Sequence, residues 1–174
     1  MTIFRITLLS LLTSLALMLV GCAGSGVSSR VAETTPQALP QSPAKVILKL
    51  AVTDIPDGTG VGAIQVSLQL PAGVTPNSYS GNDASASVLA SGSASGALAA
   101  SPYNSATGIL TPAVVSATGF KAGEFLTISC KVAPGTIITT ASFPAYARIV
   151  QIYDSKPAPA RITGASCPVT VILQ

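Results

Sequence analysis

Two stretches of the chain alternate between apolar and polar side chains. In Lys45–Val52, Val46, Leu48, Leu50 and Val52 share one parity, while Lys45 and Lys49 share the other. In Ala63–Leu70, Ile64, Val66, Leu68 and Leu70 alternate with Gln65, Ser67 and Gln69. Successive side chains of a β-strand point to opposite faces, so this period of two predicts strands with one face in a core and one in water. A third strand is predicted over Glu124–Val132, with Leu126, Ile128, Cys130 and Val132 inward, ended by Pro134-Gly135. Two more are predicted over Ala145–Tyr153 and Ser166–Leu173, the latter with Cys167, Val169, Val171 and Leu173 on one parity. Shorter candidates lie at Ser85–Ala90, Ala97–Ala100 and Ile109–Val115. Pro112 inside the last predicts an edge or a bulge, because proline has no N–H to give to a ladder. The stretch Ser80–Ser101 is mostly Ser, Ala and Gly. A structureless connection of that length is uncommon in a compact domain, so weak strands lined by small side chains are expected there. Many short strands separated by turn residues predict an all-β fold, an antiparallel β-sandwich of the jelly-roll kind.

The N-terminus follows another pattern. Arg5 precedes a largely apolar run from Ile6 to Val20, 15 residues long. That is shorter than the roughly 20 residues of a membrane-spanning helix and matches a secretory signal. The run ends in Leu19-Val20-Gly21-Cys22, which resembles the lipobox of bacterial lipoproteins. The resemblance implies that residues 1–21 are a signal peptide and that Cys22 becomes the lipidated first residue. Ala23, rather than Asp, follows the cysteine, which implies the outer membrane, on its periplasmic or its surface face. A multiply acylated cysteine anchors firmly without a spanning helix. Residues 22–43 are rich in Ser, Gly, Thr and Pro and read as a flexible tether. The predicted sandwich occupies residues 44–174, enough for one core.

Composition narrows the chemistry. Of 174 residues, nine are Lys or Arg and six are Asp or Glu, and there is no His and no Trp. Without His there is no imidazole base, no Ser-His-Asp triad and no imidazole metal ligand. A net charge of +3 supplies no basic stripe for nucleic acid, and no cofactor is expected. The domain's carboxylates are Asp54, Asp57, Asp83, Glu124 and Asp154. A carboxylate-pair glycoside hydrolase would need two of them facing across a cleft, and sugar clefts usually add aromatic platforms. Asp54 and Asp57 are calcium candidates, although Asp-x-x-Asp-Gly also simply suits a turn. Lys45, Lys49, Gln65, Ser67 and Gln69 are candidates for a binding face, against the plainer reading of solvated strand faces. Cys130 and Cys167 both fall on the inward parity, and an exported domain meets an oxidising compartment. A disulfide between them is expected, closing a loop of 38 residues and contributing about 4 kcal/mol; two buried free thiols are the alternative.

Two segments carry a further resemblance. Gly62–Val74 resembles the "G-x-Q-x-x-L-x-L-P-x-G-V" strand and turn of cohesin-like sandwiches, and Thr118–Ile128 resembles their "G-F-x-x-G-E-x-x-x-I" turn into a core strand. The resemblance to the cohesin and carbohydrate-binding-module superfamily implies a non-catalytic binding or scaffolding module with a protein partner, or less readily a polysaccharide. The chain lacks the aromatic strip of the cellulose-binding relatives and the duplicated calcium loop of a dockerin. An accessory subunit of an outer-membrane or surface assembly is the other role expected of such a module.

Overall fold

The computed structural model of the chain describes residues 43–174. The predicted signal peptide, Cys22 and the tether up to residue 42 lie outside the described residues. Among those described, eleven strands form: β1 (Lys45–Val52), β2 (Val61–Gln69), β3 (Val74–Pro76), β4 (Val88–Ala90), β5 (Leu98–Ala100), β6 (Tyr103–Asn104), β7 (Ile109–Leu110), β8 (Ala113–Phe120), β9 (Gly123–Val132), β10 (Arg148–Asp154) and β11 (Val169–Leu173). All ladders are antiparallel, and the strands make a β-sandwich. The first sheet runs β11-β1-β9, with β3 and β4 both paired to the far side of β9. In the second, β2 is central: β10 pairs one side, while β8 and β7 pair the other, followed by β5 and β6. One core joins the inward residues of both sheets, including Leu48 and Leu50 of β1, Ile64, Val66 and Leu68 of β2, and Leu126 and Ile128 of β9.

The clean alternations form strands where predicted, and the irregular ones depart for local reasons. Ile109–Val115 divides into β7 and the start of β8, with Pro112 between them. The Pro112 carbonyl accepts the Val66 amide at 3.0 Å, so the proline joins the sheet as an acceptor only. Phe125 is not expected in the core, because it lies between the inward parity positions of β9. The β1–β9 register shifts there: Leu50 faces Leu126 but Ala51 faces Glu124. This bulge turns Phe125 inward, where it stacks on Phe120 at 6.0 Å. Burying a phenyl ring of this kind is worth about 2–3 kcal/mol. Ser80–Ser101 is ordered as expected, with β4 and β5 separated by a single-turn 3-10 helix and a second such turn preceding β4. Its small residues are used inside, since Ala84, Ser87, Ala90 and Ala94 are buried.

The expected disulfide does not form. Cys130 and Cys167 are free and buried. Cys130 sits opposite Val46 at the start of β1, whereas Cys167 precedes Pro168, whose carbonyl accepts the Ala51 amide near the end of β1. Val46 and Ala51 lie five residues apart along β1, about 17 Å, and a disulfide needs Cα atoms within about 7 Å. Parity placed both sulfurs inside correctly; it carried no information about position along the strands. Burial raises both thiols to a pKa of about 12, so neither is a thiolate at neutral pH.

Gly62 and Gly119 serve packing. Ser155, just after β10, is wedged against Gly60, Gly62 and Gly119. A Cβ on Gly119 would meet Ser155 Oγ at 2.4 Å, and the backbone there has φ +74°. The glycines let the turn after β10 close onto the ends of β2 and β8.

Candidate functional site

The five candidate binding residues divide between opposite faces of the sandwich. Lys45 and Lys49 point outward from β1, in the first sheet. There Lys49 Nζ lies 3.0 Å from Glu124 Oε2, and Ser91 Oγ donates to Glu124 Oε1 at 2.8 Å. Thr127 Oγ1 donates to the same carboxylate at 3.3 Å. Lys49, helped by Ser91, holds the Glu124 carboxyl below its usual range. Lys45 faces Lys131 across the ladder, and Lys131 Nζ lies 5.9 Å from the Tyr79 ring. Tyr79 in turn meets the buried Tyr103 edge to face at 5.1 Å. Desolvation raises the Tyr103 phenol above its ordinary pKa.

Gln65, Ser67 and Gln69 point outward from β2, in the second sheet. Gln65 accepts a hydrogen bond from Gln151 at 3.1 Å. Gln69 donates to the carbonyls of Thr107 at 2.7 Å and Leu70 at 3.1 Å, which ties down the β6–β7 turn. Ser67 pairs with Arg148 of β10. Beside this polar strip the face becomes apolar. One row across four strands reads Tyr153, Ala63, Val115 and Leu98; the next reads Gln151, Gln65, Ala113 and Ala100. Leu98 is 78% exposed and Val115 52% exposed, although each is directly opposite the other in the ladder. A groove of about 310 Å³ runs beside Ala63, Val115 and Tyr153. Exposed apolar side chains are ordinary singly, but a contiguous row marks an interaction surface. Sequence reasoning missed this row because it searched outward parities for polar groups. The available signal was Val115, an apolar residue next to Val114 and therefore necessarily on the opposite face.

The calcium candidates share one connection but not one site. Asp54 has φ +57° and accepts a hydrogen bond from Thr53 at 3.0 Å. Asp57 instead lines an open cleft of about 520 Å³ at one end of the sandwich, between the β1–β2 connection and the β8–β9 turn, with Lys121 also on its wall. Among the described residues no group of three or more Asp, Glu, Cys or His is placed to hold a metal. The remaining carboxylates are engaged in structure. Asp83 Oδ1 accepts the Ser85 amide at 2.9 Å as well as the Ser85 hydroxyl. Asp154 accepts the Ala160 amide at 2.8 Å and lies 3.5 Å from Lys156. In both, those hydrogen bonds lower the carboxyl pKa. A general acid for glycoside cleavage needs a raised value instead.

No family model matches the chain, and neither a curated protein nor a solved structure matches it. Among the described residues no helix is long and apolar enough to cross a membrane. The outer face of β10, β2, β8 and β5 combines exposed apolar side chains with an adjoining groove.

Proposed function

We propose that the chain is a bacterial lipoprotein, anchored at the outer membrane through Cys22, whose tether over residues 22–43 carries a non-catalytic, cohesin-like jelly-roll module that binds a protein partner. The observation that carries the binding role is the outward apolar row of Leu98, Val115 and Ala63 on the second sheet. A protein surface suits it better than a polysaccharide, because sugar rings stack on open aromatic faces. Here Tyr153 is half-buried, Lys131 lies over the Tyr79 ring, and the exposed Tyr146 stands singly, bridged to Pro168. The lowered carboxylates and the absence of His argue for recognition rather than acid–base catalysis. The anchoring half rests on the Leu19-Val20-Gly21-Cys22 sequence.

Two measurements test the two halves. Cys22→Ala should release the chain from the membrane fraction or leave it at unprocessed size; a mature-sized, membrane-bound variant refutes the anchor. A photo-reactive residue at Val115 should cross-link to protein in intact envelopes, while one at Thr170, on the outer face of the first sheet, should not. Equal cross-linking from both positions removes the binding face.

A further inference from the structure

We propose that the partner docks on this face through a segment that is apolar at one end and acidic at the other. Its apolar side chains cover Val115 and Leu98, and its carboxylates meet a basic edge along β10. Resting on the binding-face reading above, this names what the partner must carry. The row that holds Val115 and Leu98 does not end at Tyr153. Arg161 is bridged to Tyr153 on the side of β10 away from β2. The bridge lies between two hydrogen bonds, Asp154 N–H to the Ala160 carbonyl at 2.9 Å and Ile162 N–H to the Ile152 carbonyl at 3.0 Å. Ile162 is buried, so alternation turns Arg161 outward, and it is exposed. The row therefore reads Arg161, Tyr153, Ala63, Val115 and Leu98. Neighbouring strands lie about 4.8 Å apart, which sets Arg161 about 19 Å from Leu98. Lys156 lines the groove beside Ala63, Val115 and Tyr153, with its side chain 75% exposed. Arg148, beyond Gln151 on β10, is exposed as well.

The face thus has a direction, basic along β10 and apolar on β8 and β5, and charge complementarity selects the occupant. Among the described residues the ion pairs are Lys49–Glu124 and Lys156–Asp154, so Arg148 and Arg161 have no carboxylate of their own. Asp154 is itself buried and bound to the Ala160 amide. No residue of this row, nor of the neighbouring row of Gln151, Gln65, Ala113 and Ala100, is acidic. A second copy would bring the same cations and no acid to meet them. A wholly apolar partner would desolvate cations without pairing them, which is costly. An anionic bilayer would supply charge, but interfaces of that kind are entered by several Trp, Phe or Leu side chains. This row offers one Leu and a half-buried Tyr, and a groove of about 310 Å³ adjoins it that a partner's side chain can enter.

Two fluorescent peptides test the proposal against the full chain in a non-ionic detergent, with empty micelles as the blank. The probe is Leu-Val-Leu-Gly-Ser-Gly-Asp-Glu-Asp, whose ends stand about 20 Å apart when extended. Its counterpart ends in Asn-Gln-Asn. By fluorescence anisotropy the acidic probe should bind about five- to tenfold more tightly, since each surface ion pair contributes a small factor. That preference should shrink at about 0.5 M salt and vanish when Lys156→Gln is combined with Arg161→Gln. It should survive Lys45→Gln with Lys131→Gln, which removes as much charge from the first sheet. Val115→Ser should weaken both peptides. Circular dichroism melting of each variant checks that the fold is intact. Equal affinity for the two peptides overturns the proposal, as does binding of neither, or a preference lost equally in the first-sheet variant. A photo-reactive residue at Leu98 in intact envelopes separates this failure from that of the binding face. A protein adduct whose yield ignores Lys156→Gln with Arg161→Gln keeps the face and removes the acidic partner. An adduct to lipid or to a second copy also overturns the proposal; no adduct of any kind removes both.

Discussion

On the outside of the first sheet Lys49, Glu124, Ser91 and Thr127 close a polar network, whereas on the outside of the second Val115 and Leu98 stand in water beside alanines. Both surfaces are made by outward positions of alternating strands. The difference lies in what each would gain from contact. Groups of the network already satisfy one another, and a partner would have to replace those hydrogen bonds. Leu98 and Val115 have only water to lose, at about 25 cal/mol per Å² of apolar surface covered. One face is held by its own hydrogen bonds and the other leaves apolar side chains in water, and substitutions should reveal that division.

The largest effect should come from the packing beneath the second face. Gly119→Val forces a side chain onto Ser155 and into a backbone with φ +74°, costing about 2–4 kcal/mol in denaturant unfolding. A loss below about 1 kcal/mol would mean that the turn after β10 is not seated as described. Next comes the network. Glu124→Gln should cost about 0.5–1 kcal/mol, since the ion pair is partly exposed and screened by solvent, and should leave cross-linking from Val115 unchanged. Its pH dependence has a definite sign. The folded pKa of Glu124 is lowered, so its contribution is full above the ordinary carboxylate range and is lost as pH falls through the lowered value. Parent and variant should therefore converge in acid; a difference that persists there breaks the assignment. Val115→Thr, on the other face, should change stability by no more than about 0.5 kcal/mol while weakening binding of the proposed partner. A larger loss of stability would erase the contrast between the faces. The smallest effect concerns the interior that both faces share: reductant should leave the melting temperature unchanged. In the Cys22→Ala chain, unfolding without reductant should expose two alkylatable thiols, Cys130 and Cys167. Finding none would restore the disulfide.

The strands that were legible are those whose outer side is wet. β1 appears with its predicted bounds, and β2 within two residues, because Lys45, Lys49, Gln65 and Ser67 interleave with buried aliphatics. Where both sides of a strand are apolar the pattern lost its contrast. Val114 is buried and Val115 exposed, yet they are the same residue type. The site was legible only in its polar half, and there two of the expected groups have internal tasks: Lys49 pairs with Glu124, and Gln69 holds a turn.

The chain's own order of residues determined the fold class, the inward parity of most strands and the lack of imidazole chemistry, because these follow from local alternation and composition. Tertiary structure decided what lies far apart in sequence. Ladder register separated Cys130 from Cys167 along β1, a bulge turned Phe125 inward, and the pairing of β2, β8 and β5 gathered Ala63, Val115 and Leu98 into one row. Parity specifies which way a side chain points, but only pairing between strands specifies which residues stand beside it.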